Sequence, residues 1–261
     1  MSIWAIGEAY EPYVGRWSRA VARDFLAWLA VPPGARWLDV GCGTGALSAT
    51  ILAGASPAAV TGIDSSEGFV AHARQHVPDP RASFRQADAQ DLPFSPHSFD
   101  AAVSGLVLNF VPRPERAVAE MARVTRSGGT VAVYLWDYAG QMQLMRHFWD
   151  AAAALDPAAA PLDEGRRFPL CRPEPLERLF AGAGLQDVAL RAIDVPTVFR
   201  DFDDYWSPFL GGQGPAPAYA MSLPEERRAA LRDHLRAALA TAAGGSIHLV
   251  ARALAVRGRP R

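Results

Sequence analysis

Apolar and polar positions along the first two thirds of the chain alternate between two patterns, short apolar runs and helical spacing. The runs that predict strands are ARWLDVG, AAVTGID, ASFRQAD, FDAAVSGLVLNF, SGGTVAVYLWD and LQDVALRAID. The segments between them that predict helices are TGALSATILAG, EGFVAHARQHV, RPERAVAEMARVT and RPEPLERLFAGAG. Strands that alternate with helices favour an α/β fold, a doubly wound and mostly parallel sheet with helices on both faces.

Two short patterns near the sheet carry their own expectations. The last apolar run, SIHLVARALAVRG, alternates apolar and polar residues and follows a predicted helix, so we expect it to form an edge strand. The sequence RSGGT, which precedes the fifth strand, predicts a structural turn.

Two segments interrupt the alternation and predict helical insertions, one over 138–168 and one over 199–244. Insertions that follow strands can cover the crevice at the carboxyl ends of a parallel sheet. Large aromatic residues in these segments and near the N-terminus either line such a roof or complete a larger core; they are Trp17, Trp149, Tyr205, Trp206 and Phe209. Glycines that give the second insertion a flexible edge are Gly211, Gly212 and Gly214.

Composition limits the classes of function. The 261 residues carry a formal net charge of -1, which argues against a nucleic-acid partner. Cys42 and Cys171 lie far apart, without His or Cys at ligand spacing, which argues against a metal site and a disulfide framework. No run approaches the roughly 18 apolar residues of a membrane span. We expect a soluble, cytoplasmic protein without a membrane span.

A dense glycine loop, VGCGTGA, joins the first strand to the first helix of the alternation. Gly41, Gly43 and Gly45 permit a tight turn that brings a ligand against the backbone. The pattern also satisfies the dinucleotide fingerprint. Asp39, just before the loop, would repel a pyrophosphate and favour an ammonium or sulfonium group, which points to S-adenosylmethionine. Asp64 ends the next strand, where a carboxylate can accept from both ribose hydroxyls, a feature that NAD enzymes share.

The third strand ends in ADAQD, which offers two groups that match adenine. The Asp88 carboxylate can accept from the amino group, and the Ala89 backbone N–H can donate to a ring nitrogen. Taken by itself, this sequence is more typical of an ordinary turn.

Taken together, these motifs resemble the class I S-adenosylmethionine-dependent methyltransferases of type 11, the group with the ubiquinone/menaquinone C-methyltransferases. The resemblance covers about half of the chain, through VPPGARWLDVGCGTG, TGIDSSEGFVAHAR and ADAQDLPFSPHSFDAAVSGLVLNFVPRPERAVAEMARVTRSGGTVAV. It implies a Rossmann-like sheet of seven strands with a helical cap. It also implies S-adenosyl-L-methionine as the cofactor, held by Arg16, Asp39, Gly41, Gly43, Thr44, Asp64, Ser65, Asp88, Ala89 and Ser104.

Within that resemblance several residues have specific implied positions. Thr44 lies beside the methionine portion, and Ser104 lies under the cofactor at the end of the fourth strand. Arg16, in YEPYVGRWSR, either pairs with the cofactor carboxylate as part of a lid or belongs to a helix start that packs on the sheet. The family often has an acid or histidine near the end of the fourth strand, where this chain has Asn109. Base catalysis from that position is therefore in doubt.

The catalytic residues are not predicted. Methyl transfer can rely on positioning, so it requires no fixed base. His147, on the first insertion, and Asp137 and Tyr138, just past the fifth strand, are candidates. Four further histidines, His72, His76, His97 and His234, are expected at the surface.

We expect a single methyltransferase domain over 1–261. Its parts are a helical lid over 1–30, a cofactor-binding core over 34–136 and cap insertions over 138–168 and 199–244. The predicted function is S-adenosylmethionine-dependent methyl transfer to a small molecule. The alternatives are an NAD(P)-dependent oxidoreductase and a cofactor-binding module without turnover. The accepting atom and the oligomeric state are left open.

Overall fold

A computed structural model describes residues 16–211 and 214–261, with Arg16 described by its backbone alone. Within these residues the strands are β1 (Arg36–Val40), β2 (Ala59–Asp64), β3 (Ala82–Gln86), β4 (Phe99–Gly105), β5 (Thr125–Trp136), β6 (Gln186–Phe199) and β7 (Ile247–Arg259). The α-helices are α1 (Arg16–Leu29), α2 (Ala46–Gly54), α3 (Glu67–His76), α4 (Pro114–Val124), α5 (Gln143–Leu155), α6 (Glu164–Arg167), α7 (Pro173–Gly182), α8 (Phe202–Trp206), α9 (Pro215–Ser222) and α10 (Glu225–Ala238).

The seven strands form one sheet in the order β3-β2-β1-β4-β5-β7-β6. The pairs β1–β2, β2–β3, β1–β4 and β4–β5 are parallel. The predicted seven-stranded, mostly parallel sheet is therefore confirmed. The strand order reverses direction between β1 and β4, and ligands of open α/β sheets bind at such a switch point, beyond the carboxyl ends of the strands.

The predicted position of the last strand is wrong. β7 lies between β5 and β6, and β6 forms the edge. Two backbone hydrogen bonds, from Asp137 N–H to Arg252 O and from Gly128 N–H to Pro260 O, show that β7 runs antiparallel to β5. The strand does not keep its alternating pattern, because Ala253–Val256 are all buried. Consecutive buried residues are typical of a strand that is covered on both faces.

The sequence RSGGT is part of β5 and does not form a separate turn. Phe99 pairs with Thr125, but Ala101 pairs with Thr130, so extra residues of β5 bulge out between these two pairs. Gly128 has a φ of +69°, which other residues rarely adopt.

The chain folds into two compact units. The sheet unit comprises Ser18–Leu135, Arg172–Ile193 and Ala253–Arg261. Its central strands are apolar and fully buried at Leu38, Val103 and Val133, as expected for strands that helices cover on both faces. Phe25 of α1 is also fully buried, with its ring centroid 4.8 Å from that of Tyr134 in β5. The described part of the predicted lid, from Ser18 onward, thus packs in the core of the sheet unit.

The second unit comprises Trp136–Cys171 and Asp194–Arg252, with the described end of Met1–Trp17. Both predicted insertions fall in it and are helical. The first insertion is helical from Gln143 onward, where α5 begins. In the second insertion α9 begins within a Gly/Pro-rich sequence, GGQGPAPA, a composition that is more typical of a loop. Prolines in a first helical turn do not interrupt it, because their missing N–H would have no partner there.

The aromatic residues of the second unit pack on one another. Phe148 stacks on Phe209 with ring centroids 4.5 Å apart, and the Tyr205 hydroxyl donates to Leu144 O at 3.1 Å. The five aromatics that the sequence singled out are 0–6% exposed; they are Trp17, Trp149, Tyr205, Trp206 and Phe209. This burial favours the alternative that they complete a core. Three expectations stay predictions: the roof over the crevice, the division of the domain into lid, core and cap, and the flexible glycine edge of the second insertion. Gly212, one of those glycines, lies outside the described residues.

One carboxyl group is buried in the second unit. Glu164 is 2% exposed, its Oε2 accepts from Trp149 Nε1, and its Oε1 has no hydrogen-bond partner among the described residues. Burial is the main cause that raises the pKa of Glu164 to about 7.

Candidate functional site

The glycine loop connects β1 to α2 at the carboxyl edge of the sheet. The backbone N–H groups of Gly41 and Cys42 both donate to Ile63 O of β2 at 2.8 Å, so the loop is tied to the neighbouring strand. A Cβ atom at Gly41 would lie 2.5 Å from Val107 Cγ1, and one at Gly45 would lie 2.8 Å from Val77 Cγ2. Close packing and a positive φ, +75° at Gly41 and +89° at Gly45, therefore both disfavour a side chain at these positions.

Gly43 differs from its two neighbours. Its φ is +51°, but a Cβ atom there would meet no atom of the chain within 4 Å. The middle of the loop thus presents backbone to open space, which is what a ligand needs for close approach. Thr44, the next residue, is half-buried.

Asp64 joins the glycine loop to the end of β2. Gly43 N–H donates to Asp64 Oδ2 at 3.0 Å, and Ser66 N–H donates to Asp64 Oδ1 at 2.9 Å. Each carboxylate oxygen can accept about two hydrogen bonds, so the carboxylate has capacity for a further donor. Burial raises the pKa of Asp64, and the backbone N–H groups of Ser66 and Gly43 oppose that shift. Ser65, between these partners, is exposed.

Asp39 is the buried carboxyl of the site. It is 1% exposed, and Ser48 of α2 donates to its Oδ2 at 2.7 Å. Its Oδ1 is buried without a hydrogen-bond partner among the described residues. Burial, opposed by Ser48 and reinforced by the charge of Asp64, raises the pKa of Asp39 to about 7. A cation at this position would stabilise the ionised form.

Asp88 and Ala89 lie in a turn directly after β3. Asp91 N–H donates to Asp88 O at 3.1 Å, which is the ordinary turn that the sequence allowed. The Asp88 carboxylate is exposed, and hydrogen bonds from Gln90 lower its pKa. The Ala89 N–H has no acceptor among the described residues. The turn thus leaves an ionised acceptor and a free donor side by side.

Ser104 does not share a sheet face with Asp39. The register pairs Asp39 with Val103, and successive residues of a strand point to opposite faces. The Ser104 hydroxyl is buried, and it has no hydrogen-bond partner within the part of the chain that the structure describes. Its predicted place under the cofactor stays a prediction.

The structure does not place the remaining candidate residues at the glycine loop. Arg16 begins α1, but its side chain lies outside the described residues, as do residues 1–15. Asp137, Tyr138 and His147 belong to the second unit. Asp137 Oδ2 accepts from Gln141 N–H at 2.9 Å, which gives that side chain a role in a local turn. His147 is half-buried, and burial lowers its pKa.

The end of β4 has a strained backbone. Leu106 follows this strand with a φ of +63°, a conformation that costs a branched side chain roughly 1–2 kcal/mol. Asn109, in a short 3-10 helix (Leu108–Phe110), has a buried Nδ2 without a partner among the described residues. Strain of this kind is often found at functional sites.

Sequence reasoning missed two residues of the site. Ser48 was not identified because a serine inside an apolar helix gives no sign of its partner, and Gln90 was not identified because a glutamine in a turn is usually solvated. No group of three or more His, Cys, Asp or Glu within the described ranges could hold a metal ion. None of the helices in those ranges has the length and apolar character to cross a bilayer.

Comparison with known proteins finds that the chain is similar to methyltransferases. Residues 38–133 match the family described as "Methyltransferase domain". A phosphatidylethanolamine N-methyltransferase of Cereibacter sphaeroides is 40% identical over 134 residues, which are 50% of this chain and 63% of that protein. A demethylmenaquinone methyltransferase of Clavibacter sepedonicus is 40% identical over 107 residues, 40% of this chain and 43% of that protein. The chain thus spans less than two thirds of these relatives.

Solved structures share the fold. The YcgJ protein of Bacillus subtilis superposes with a TM-score of 0.61 at 18% identity, over 93% of this chain and 98% of that one. A Haemonchus contortus phosphoethanolamine N-methyltransferase, solved with phosphomonomethylethanolamine and S-adenosylhomocysteine, gives a TM-score of 0.60 at 17% identity, over 97% of this chain and 57% of that one. The predicted resemblance to methyltransferases of this fold is confirmed.

Proposed function

We propose that the chain binds S-adenosyl-L-methionine and transfers its methyl group to a small-molecule acceptor, because residues 38–133 match the methyltransferase domain family. The curated relatives are named for such acceptors, a phospholipid in one case and a quinone precursor in another. The accepting atom is not assigned.

One observation carries the proposal, the open approach to Gly43 with two carboxyl groups beside it. Asp64 is fixed at this opening by the Gly43 N–H, and Asp39 keeps one buried oxygen without a partner among the described residues. A ligand that brings hydroxyl groups and a positive charge would complete the hydrogen bonds of both. S-adenosylmethionine has a ribose diol, an ammonium and a sulfonium, so these residues fit it.

The roles of the residues follow from this fit. Gly43 would let the cofactor approach the backbone, Asp64 would accept from the ribose hydroxyls, and Asp88 and Ala89 would bind the adenine edge. Asp39 would stabilise positive charge. The bound cofactor supplies an electrophilic methyl group. An acceptor atom with a free electron pair would take this methyl group, and the electrons of the C–S bond would stay on sulfur. Positioning of the two reactants contributes much of the rate.

An NAD(P)-dependent oxidoreductase is the less favoured alternative. A pyrophosphate at the glycine loop would lie near Asp39, and the charge of that carboxylate would oppose it, whereas Asp64 could accept from the ribose of either cofactor. A module that binds the cofactor without turnover would have the same binding residues, so it differs only in product formation.

Two measurements test the proposal. In calorimetric titration we expect S-adenosylhomocysteine to bind and NAD to bind more weakly, whereas tighter binding of NAD would refute the assignment. A screen with methyl-labelled S-adenosylmethionine and fractions of a metabolite extract then tests turnover. Label in a small-molecule product supports the enzyme, and binding without any labelled product across the fractions supports the module. The predicted cytoplasmic location and the whole of the cap stay predictions.

A further inference from the structure

Gln90 lies between the carboxylate of Asp88 and the guanidinium of Arg113. Its backbone N–H donates to Asp88 Oδ1 at 2.8 Å, and its side-chain Nε2 lies 3.1 and 3.2 Å from Asp88 Oδ1 and Oδ2. On the other side, Arg113 Nε donates to Gln90 Oε1 at 3.2 Å. Gln90 is 9% exposed although Asp88 is exposed, so a buried residue holds a surface carboxylate.

The orientation of the Gln90 amide is set by the chemistry of its neighbours. A carboxylate can only accept hydrogen bonds, and a guanidinium can only donate them. The amide must therefore turn its nitrogen to Asp88 and its oxygen to Arg113. The hydrogen bonds run in one direction, from Arg113 through Gln90 to Asp88.

These contacts leave the two oxygens of Asp88 unequal. Oδ1 receives the backbone N–H and one contact from the Gln90 amide, which fills its two lone pairs. Oδ2 receives the amide alone and keeps one lone pair. The Ala89 N–H is available beside it. A ligand edge with one donor and one adjacent acceptor matches this pair, and the amino group and neighbouring ring nitrogen of adenine form such an edge.

The segment that carries Asp88 is held against α4. Leu92 N–H donates to Glu120 Oε2 at 2.8 Å, and Arg123 donates to Leu92 O and Phe94 O at 2.9 and 2.8 Å. Since these contacts anchor the segment after the turn, Gln90 controls the side chain of Asp88 more than the path of the loop.

We propose that Gln90 is a positioning residue for adenine recognition, which with Arg113 fixes the Asp88 side chain so that Oδ2 faces the 6-amino group of the cofactor. The inference rests on the proposed function. It adds a specificity relay that reaches from the adenine edge to the residue preceding α4.

The test compares two ligands that differ only at the 6-amino group. They are S-adenosylhomocysteine and its 6-desamino analogue, in which hydrogen replaces the amino group and the ring nitrogens are unchanged. We expect the wild-type protein to prefer S-adenosylhomocysteine by about tenfold or more, the effect of one charge-assisted hydrogen bond. In Gln90→Leu the preference should fall to about threefold or less, with the affinity for the analogue changed by less than about twofold.

Matched variants separate the relay from general effects. Arg113→Leu should lower the preference in the same direction as Gln90→Leu. Arg116→Leu removes the same charge near Asp88 without a contact to Gln90, and Gln186→Leu removes an exposed glutamine elsewhere; both should keep the wild-type preference.

Three results would overturn the inference. One is a full preference in Gln90→Leu, and another is an equal loss of affinity for both ligands, which would make Gln90 merely structural. Equal binding of both ligands by the wild-type protein would refute the Asp88 contact while leaving the proposed function intact. If the wild-type protein binds neither ligand, the proposed function itself fails.

Discussion

Replacement of Asp64 by alanine should weaken both cofactor binding and the fold, because its carboxylate has two roles. It accepts from Gly43 N–H and Ser66 N–H at 3.0 and 2.9 Å, and it has capacity left for the ribose. A hydrogen bond to a charged group contributes about 1.5–3 kcal/mol, so loss of even one ribose contact predicts at least a tenfold weaker affinity for S-adenosylhomocysteine.

The effect on stability should be smaller than the effect on binding. In Asp64→Ala the two backbone N–H groups lose their acceptor, but both residues are half-buried and water can reach them. We expect the free energy of unfolding to fall by about 1 kcal/mol, the low end for an unpaired donor. Asp64→Asn keeps one acceptor oxygen, so both losses should be intermediate.

Calorimetric titration and urea unfolding measure the two effects separately. Asp79→Ala is the matched control, since Asp79 lies near the start of β3 and its carboxylate accepts from Arg81; it should leave the affinity unchanged. Unchanged affinity in Asp64→Ala with lower stability would show that Asp64 only holds the glycine loop through its hydrogen bond to Gly43 N–H. Lost affinity with unchanged stability would refute the stabilising role of the hydrogen bonds from Gly43 N–H and Ser66 N–H.

The remaining predictions concern the other groups of the two units. Because burial raises the pKa of Asp39 from 3.8 to about 7, its contribution to the free energy of unfolding is present below pH 4 and is lost as the pH rises to 7. Urea unfolding at several pH values should therefore show a free energy of unfolding that falls less steeply with pH in Asp39→Asn than in the wild type, and an equal fall would contradict the raised pKa. Gly43→Ala should lower the free energy of unfolding by about 1 kcal/mol, because of its positive φ, and should abolish S-adenosylhomocysteine binding. Gly41→Ala, whose Cβ would also meet Val107, should lower the melting temperature more than Gly43→Ala does, and equal melting temperatures of the two variants would argue against this packing. Burial raises the pKa of Glu164 to about 7, so at pH 8 its carboxylate is ionised at a cost in stability. Glu164→Gln keeps an acceptor for the Trp149 indole and removes this charge, so its melting temperature at pH 8 should match or exceed that of the wild type; a clear drop would refute this.

The order of strands and helices through β5 could be predicted from the sequence because each period spans a whole element. The position of β7 could not, since an alternating run looks the same whether one neighbour strand or two lie beside it. The helix α9 was hidden by its own prolines, which signal a loop except in a first helical turn.

The cofactor-binding candidates are only partly decidable from sequence. Asp64 could be placed at the end of β2 by counting from the glycine loop, but its bond to Gly43 N–H depends on how two strands meet. Gln90 and Arg113 lie 23 positions apart, and nothing along the chain links them. Contacts of this kind arise from the tertiary fold, which a local pattern does not encode.

The place of β7 between β5 and β6 also sets the order in which a nascent chain can complete its sheet. During synthesis β6 leaves the ribosome before β7 exists, and in the finished sheet β6 is hydrogen-bonded to β7. Until Ile247–Arg259 has been translated, β5 and β6 each present a row of unpaired N–H and C=O groups, the kind of edge through which chains aggregate. Such late, long-range pairing is slow. The last strand therefore completes the sheet by pairing with both β5 and β6. A stalled chain that stops before Ile247 would leave the unpaired edges of β5 and β6 open to other chains.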